Sequence, residues 1–134
     1  MDSLYKDAFA EYFRDSEHGA VVQRWSEATD SMTEEQFRHG VERLAELIER
    51  EHLPNAIVDV VKMRYRPAAD FEEWRQANII PRYNSAGIRK FAFIYPNGFT
   101  GTVENGVIPS PEGKATFPFG YFNAAGAAFA WLAS

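Results

Sequence analysis

Seven basic side chains fall between residues 62 and 90 (Lys62, Arg64, Arg66, Arg75, Arg82, Arg89, Lys90) against three acids (Asp70, Glu72, Glu73). This stretch therefore carries +4 in a chain of formal net charge −5, which leaves −9 elsewhere. Guanidinium groups beside a helix start suit an anion, because forked charged donors and free backbone N–H groups converge there. Arg64, Arg66 and Arg75 flank a helix expected after Asp70, at the carboxyl end of a strand, where open α/β sheets take ligands. The alternative reading is solvated arginines, some paired with Asp70, Glu72 and Glu73. Asp59 is the one charge inside the apolar run Ala56–Val61. It is either a functional carboxylate or, the favoured reading, an acceptor for the following turn or a partner of an arginine such as Arg64. Trp74 and Tyr83 add rings beside these charges. Asp59, Arg64, Arg66, Arg75, Trp74 and Tyr83 are thus the candidate ligand- or partner-binding set.

Other chemistries find little support. The chain has no cysteine, which removes disulfides, thiolate catalysis and zinc-thiolate sites and suits a reducing cytoplasm. His18, His39 and His52 are scattered; Glu35 and His39 share a helical spacing but lack a third ligand, so no metal and no cofactor is expected. No nucleophile elbow or phosphate-cradling glycine loop occurs, and the expected role is non-enzymatic. The acidic balance, with pI about 5.2, disfavours nucleic acid. The amino-terminal segment lacks the basic start of a signal peptide, and no run reaches the ~18 apolar residues of a membrane span. A cytoplasmic protein without integral membrane insertion is expected. Aromatic residues make up 15% of the 134 residues, enough to supply most of one domain's core burial. If loop rings such as Phe99, Phe117 and Phe119 are exposed, they form a partner or homodimer surface instead.

The elements that must position these residues are legible from periodicity. Lys6–Trp25 reads as a β-hairpin around the turn DSEHG (Asp15–Gly19), its inward face undecided. Met32–Glu51 reads as a helix capped by Thr33 with Gln36, or by Ser31 with Glu34, and buries Phe37, Val41, Leu44, Leu47 and Ile48. Ala56–Val61 is nearly continuous apolar sequence, as in a strand covered on both faces. A second helix follows, with Asp70 as N-cap, Glu73 as its capping-box partner, a break at Pro81 and a stop at Gly87. Ile88–Tyr95 returns as a strand parallel to Ala56–Val61. Asn97–Gly120 reads as a long Gly/Pro-rich loop with a short hairpin through Phe99–Val107 and an edge strand at Phe117–Phe119. Asn123 then caps a last helix, Ala124–Leu132, which buries Ala127, Ala128, Trp131 and Leu132. The expected fold is α/β, a single-domain mixed sheet of about five strands with three helices in the order β-β-α-β-α-β-β-α.

This order resembles the STAS domain family, in particular bacterial STAS-like proteins akin to anti-sigma-factor antagonists and sometimes grouped with Sec14-type lipid-binding domains. The resemblance spans Glu11 to Leu132. It rests on Arg24-Trp25, MTEEQF from Met32, NAIVDVVKM from Asn55, EWRQANIIPRYNSAGIRKFAFIYP from Glu73 and GYFNAAGAAFAWL from Gly120. It implies a non-enzymatic regulatory module that binds a protein partner or a small anionic or hydrophobic ligand. Anti-sigma-factor antagonists carry a phosphorylatable serine just before the second helix, whereas KMRYRPAAD (Lys62–Asp70) has no serine or threonine, so that switch does not transfer. The family's extra helix before the last strand is replaced by the Gly/Pro-rich loop. A lipid or other hydrophobic ligand, held between helices and sheet and admitted at Pro81 and the loop, is the alternative function.

Overall fold

The computed structural model describes residues 1–96, 106–108 and 113–134. The chain order is β1 (Asp2–Lys6), β2 (Ala10–Asp15), β3 (Ala20–Trp25), α1 (Glu34–Glu51), β4 (Asn55–Asp59), α2 (Phe71–Asn78), α3 (Ile80–Ala86), β5 (Lys90–Ile94), β6 (Gly106–Ile108), β7 (Phe119–Phe122) and α4 (Ala125–Leu132). A short 3-10 helix, Glu27–Ser31, precedes α1. The strands form one mixed sheet in the order β1-β2-β3-β4-β5-β7-β6. β3, β4, β5 and β7 run parallel, while the β1–β2, β2–β3 and β6–β7 pairs are antiparallel. The fold is α/β as expected, with seven strands among the described residues rather than five. No helix among them is long and apolar enough to cross a membrane.

Local sequence explains most boundaries. Thr33 accepts from the Gln36 N–H while the Gln36 side chain accepts from the Thr33 N–H, a complete capping box. The Thr33 start is therefore the one taken. The expected second helix breaks into α2 and α3, with Pro81 in the first turn of α3, where its missing N–H costs nothing. Gly87 closes α3 at φ +82. Asp70 departs from expectation: its side chain makes no cap and instead accepts from Arg38 Nη2 at 2.8 Å. A long-range ion pair with α1 has displaced the local capping bond.

The carboxyl-terminal third needs more correction. Phe119–Phe122, not Phe117–Phe119, forms the last parallel strand, and β6 covers its outer edge. The rest of the Phe99–Val107 hairpin, Phe99 included, lies outside the described residues. α4 begins one residue late, with Ala124 rather than Asn123 in the extended cap conformation. Ala127 is exposed and Trp131 half-buried, so Ala128 and Leu132 alone are fully buried on this helix. β1 was not foreseen at all.

The two helical crossovers, α1 and α2–α3, move the chain one strand over in the same direction and so lie on the same face of the sheet. α4 covers the other face, against Ala20, Val22, Ile57, Ala92 and Ile94. Coverage on both sides is why the sequence of β4 is apolar at successive positions.

Candidate functional site

β4 ends at Asp59 and α2 begins only at Phe71, so residues 60–70 pass the carboxyl ends of the strands without helix or strand. Backbone donors anchor this connection: Val60 N–H to Ile94 O (2.9 Å), Arg64 N–H to Thr29 Oγ1 (2.8 Å) and Ala68 N–H to Glu34 Oε1 (2.9 Å). The Tyr65 hydroxyl donates to the same Glu34 oxygen, and burial, reinforced by this bond, pushes the Tyr65 pKa up to about 12. Burial works against the Glu34 charge, but Tyr65, the Ala68 N–H and Arg38 hold its carboxyl below the ordinary value. α2 has no fully buried residue, although Phe71 and Trp74 lie on one side of it. An amphipathic helix that seals no residue stands off the sheet it faces.

Beneath it lies a cavity of about 610 Å³, within the usual size range of ligand sites. Its floor is aromatic. Phe91, Phe93 and Tyr95 point to one face by strand alternation and meet Tyr121 of β7. The Phe93 and Tyr121 rings stack with centroids 5.4 Å apart and planes 6° from parallel. Trp25 and Phe37, with centroids 5.5 Å apart, form one wall, and Met63, Tyr65 and Phe71 the roof. Gly40 makes that wall possible: a Cβ there would lie 2.3 Å from Trp25 Cη2. Glycine in the middle of α1, which costs helix stability relative to alanine, lets the indole lie on the helix backbone.

Few polar groups interrupt this lining. Arg75 Nε and Nη2 donate to the two oxygens of Glu72 at 3.0 and 2.8 Å, and its guanidinium lies 5.5 Å from the Phe119 ring centroid. Burial disfavours the Arg75 charge, yet Glu72, Tyr83 and Tyr121 raise its pKa above the ordinary value. Arg66 lines the mouth, is exposed, and has no ion pair or hydrogen bond among the described residues. Deeper in, Gln23 is 2% exposed and its Nε2 donates to Gly40 O (2.9 Å) and to the Tyr12 hydroxyl (3.3 Å). Tyr12 in turn donates to Gly40 O at 3.2 Å. Burial raises the pKa of Tyr83 and Tyr95, keeping both phenols neutral donors.

The expected site residues divide. Arg66, Arg75 and Tyr83 converge on the cavity. Trp74 lies instead in an acidic surface cleft between α1 and α2, with Arg38 5.2 Å from its ring centroid. Arg64 points away to pair with exposed Glu27 at 3.6 Å. Asp59 faces the α4 side, because Val58 and Val60 on either side of it face the cavity. It accepts from the Val61 N–H at 3.0 Å and pairs with Arg24 at 3.5 Å, the turn-acceptor reading with a different arginine. Gln23, Glu72 and the Phe93–Tyr121 floor were missed as site residues. Gln23 had a signal: it is the one amide between Val21 and Trp25, both of which alternate to the buried face.

Asp15, Glu17 and His18 bring oxygen and nitrogen atoms within 4.8 Å of one another at the β2–β3 turn. The turn itself accounts for them: His18 Nδ1 bonds Asp15 Oδ2 at 2.7 Å, and the imidazole stacks on Phe129. Compared with known proteins, the chain matches no family model, no curated protein and no solved structure.

Proposed function

We propose that this protein is a small-molecule-binding module that encloses an apolar, ring-bearing anion in the cavity beneath α2. The cavity carries the reading: about 610 Å³ of space floored by stacked aromatic rings, with an arginine at its mouth that has no partner among the described residues. Rings contribute burial and stacking, which are tolerant of ligand identity, while Arg66 adds an attraction for a carboxylate, sulfonate or phosphate at the open end. Arg75 is already neutralised by Glu72 and serves to hold the α2 side of the lining. The groups lining the cavity are binding groups, and the role proposed is non-enzymatic and cytoplasmic. The proposal keeps the STAS-like regulatory reading of the sequence, in which a protein partner or second copy of the chain would respond to the loaded form.

Titration with anilinonaphthalene sulfonate, an aromatic anion that brightens on transfer from water, tests this. We expect saturable binding of one probe per chain, weakened about tenfold or more by Met63→Trp or Val58→Phe, which fill the cavity. Arg66→Ala should weaken the sulfonate and leave an uncharged anilinonaphthalene unaffected. Absence of saturable binding, or binding indifferent to both filling substitutions in folded protein, overturns the proposal.

A further inference from the structure

Two residues that line the cavity, Gln23 and Tyr83, each carry a polar atom with no partner among the described residues. Gln23 spends both amide hydrogens, on Gly40 O and on the Tyr12 hydroxyl, so its Oε1 is left as an acceptor with no partner among the described residues. The orientation follows from Gly40 O, which can only accept, so Nε2 must face it. Tyr83 is 2% exposed, and its hydroxyl makes no hydrogen bond among the described residues. Neither atom is sealed within packed core, since no buried side-chain nitrogen or oxygen there lacks a partner. Both residues line the cavity.

Purely structural roles do not call for this pair. Binding Tyr12 and Gly40 needs only the Gln23 nitrogen, and phenylalanine would pack as Tyr83 does against Phe91 and Phe117. Buried polar groups are ordinarily satisfied, and an acceptor and a donor that line one apolar cavity can be completed together by a group that both gives and takes a hydrogen bond. We propose that Gln23 Oε1 and the Tyr83 hydroxyl read a hydroxyl on the inner end of the ligand, making the preferred ligand a hydroxylated aromatic acid. The ligand O–H donates to Gln23 and its oxygen accepts from Tyr83, while the acid group stays at Arg66. This deepens the binding function proposed above and rests on it.

Three ring acids separate the two: naphthoate, its hydroxy derivative with the hydroxyl on the ring carbon farthest from the carboxylate, and the methoxy derivative at that carbon. Isothermal titration of the full chain is expected to show the hydroxy acid bound about tenfold tighter than either of the others, the scale of one well-made hydrogen bond in a dry site. Tyr83→Phe removes an oxygen with no partner among the described residues, so it should leave the thermal midpoint unchanged and erase most of the preference. Gln23→Leu should erase it too, with naphthoate itself still bound. Equal affinity for all three acids overturns the hydroxyl reading and leaves the pocket standing. Failure of all three to bind overturns both. Retention of the preference in Tyr83→Phe and in Gln23→Leu, or in Gln23→Met if the leucine variant does not fold, removes these residues from the site.

Discussion

The two faces of the sheet are built on different terms. Against α4 the strands present Ala20, Val22, Ile57 and Ala92, and Gly120 lets Trp131 approach so closely that a Cβ would fall 2.8 Å from its ring. Small side chains let this helix settle flush on the strands. The opposite face presents Phe91, Phe93, Phe119 and Tyr121, whose rings prop each other at centroid distances of 5.2 to 6.5 Å, and Trp25, which packs on Phe37 of α1. Large rings braced against one another do not collapse to fill the space under α2, and the cavity persists. Residue size along adjacent positions of one strand therefore decides which face is sealed and which can take a guest.

Adjacent residues of β4 give the sharpest break of that comparison. Ile57, in the sealed layer, should lose about 3 kcal/mol on Ile57→Ala, whereas Val58→Ala, which only widens an existing cavity, should lose about 1 kcal/mol, both by urea unfolding. Equal losses would mean the two faces are packed alike. Next in size is Gly120→Ala, which drives a methyl into Phe122 and Trp131 and should lose about 2 kcal/mol while the folded protein still binds a ring acid.

The roof of the open face supplies a smaller effect with a pH signature. Because Glu34 is held below its unfolded value, its contribution is complete above the ordinary carboxylate range and is lost as pH falls through the folded value. Glu34→Gln should lose about 1 kcal/mol at neutral pH and flatten the acid side of the stability profile; an unchanged acid limb would show that the roof is held elsewhere. Smallest is His52→Gly. His52 closes α1 at φ 56, a left-handed conformation that glycine adopts without strain, and the substitution should raise stability by about 0.5 kcal/mol without touching either face.

Features that depend on a few neighbouring residues were legible in the sequence. The Thr33 capping box, the Pro81 break, the Gly87 stop and the parallel β4–β5 pair are all as the residues imply. Asp70 misled because Arg38, thirty-two positions away, claims its carboxylate. β1 escaped because it is an outer strand with no buried residue, so burial imposes no pattern on DSLYK. Of the site, the rings and three of the six expected residues were visible as types, but their convergence was not. A cavity is a place where packing stops, and periodicity records only where packing occurs. Asp59 and Arg64 lay close in sequence to the site residues, yet strand alternation and the path of residues 60–70 send them elsewhere.

The hanging of that connection from Thr29 and Glu34 gives release of the proposed ligand a control outside the cavity lining. Tyr65 lines the cavity, whereas Thr29 and Glu34, which accept from Arg64, Tyr65 and Ala68, do not. Loosening those bonds would act on the off-rate, through which most changes at one binding site are expressed. The proposed ligand's residence would then depend in part on two side chains outside its own site.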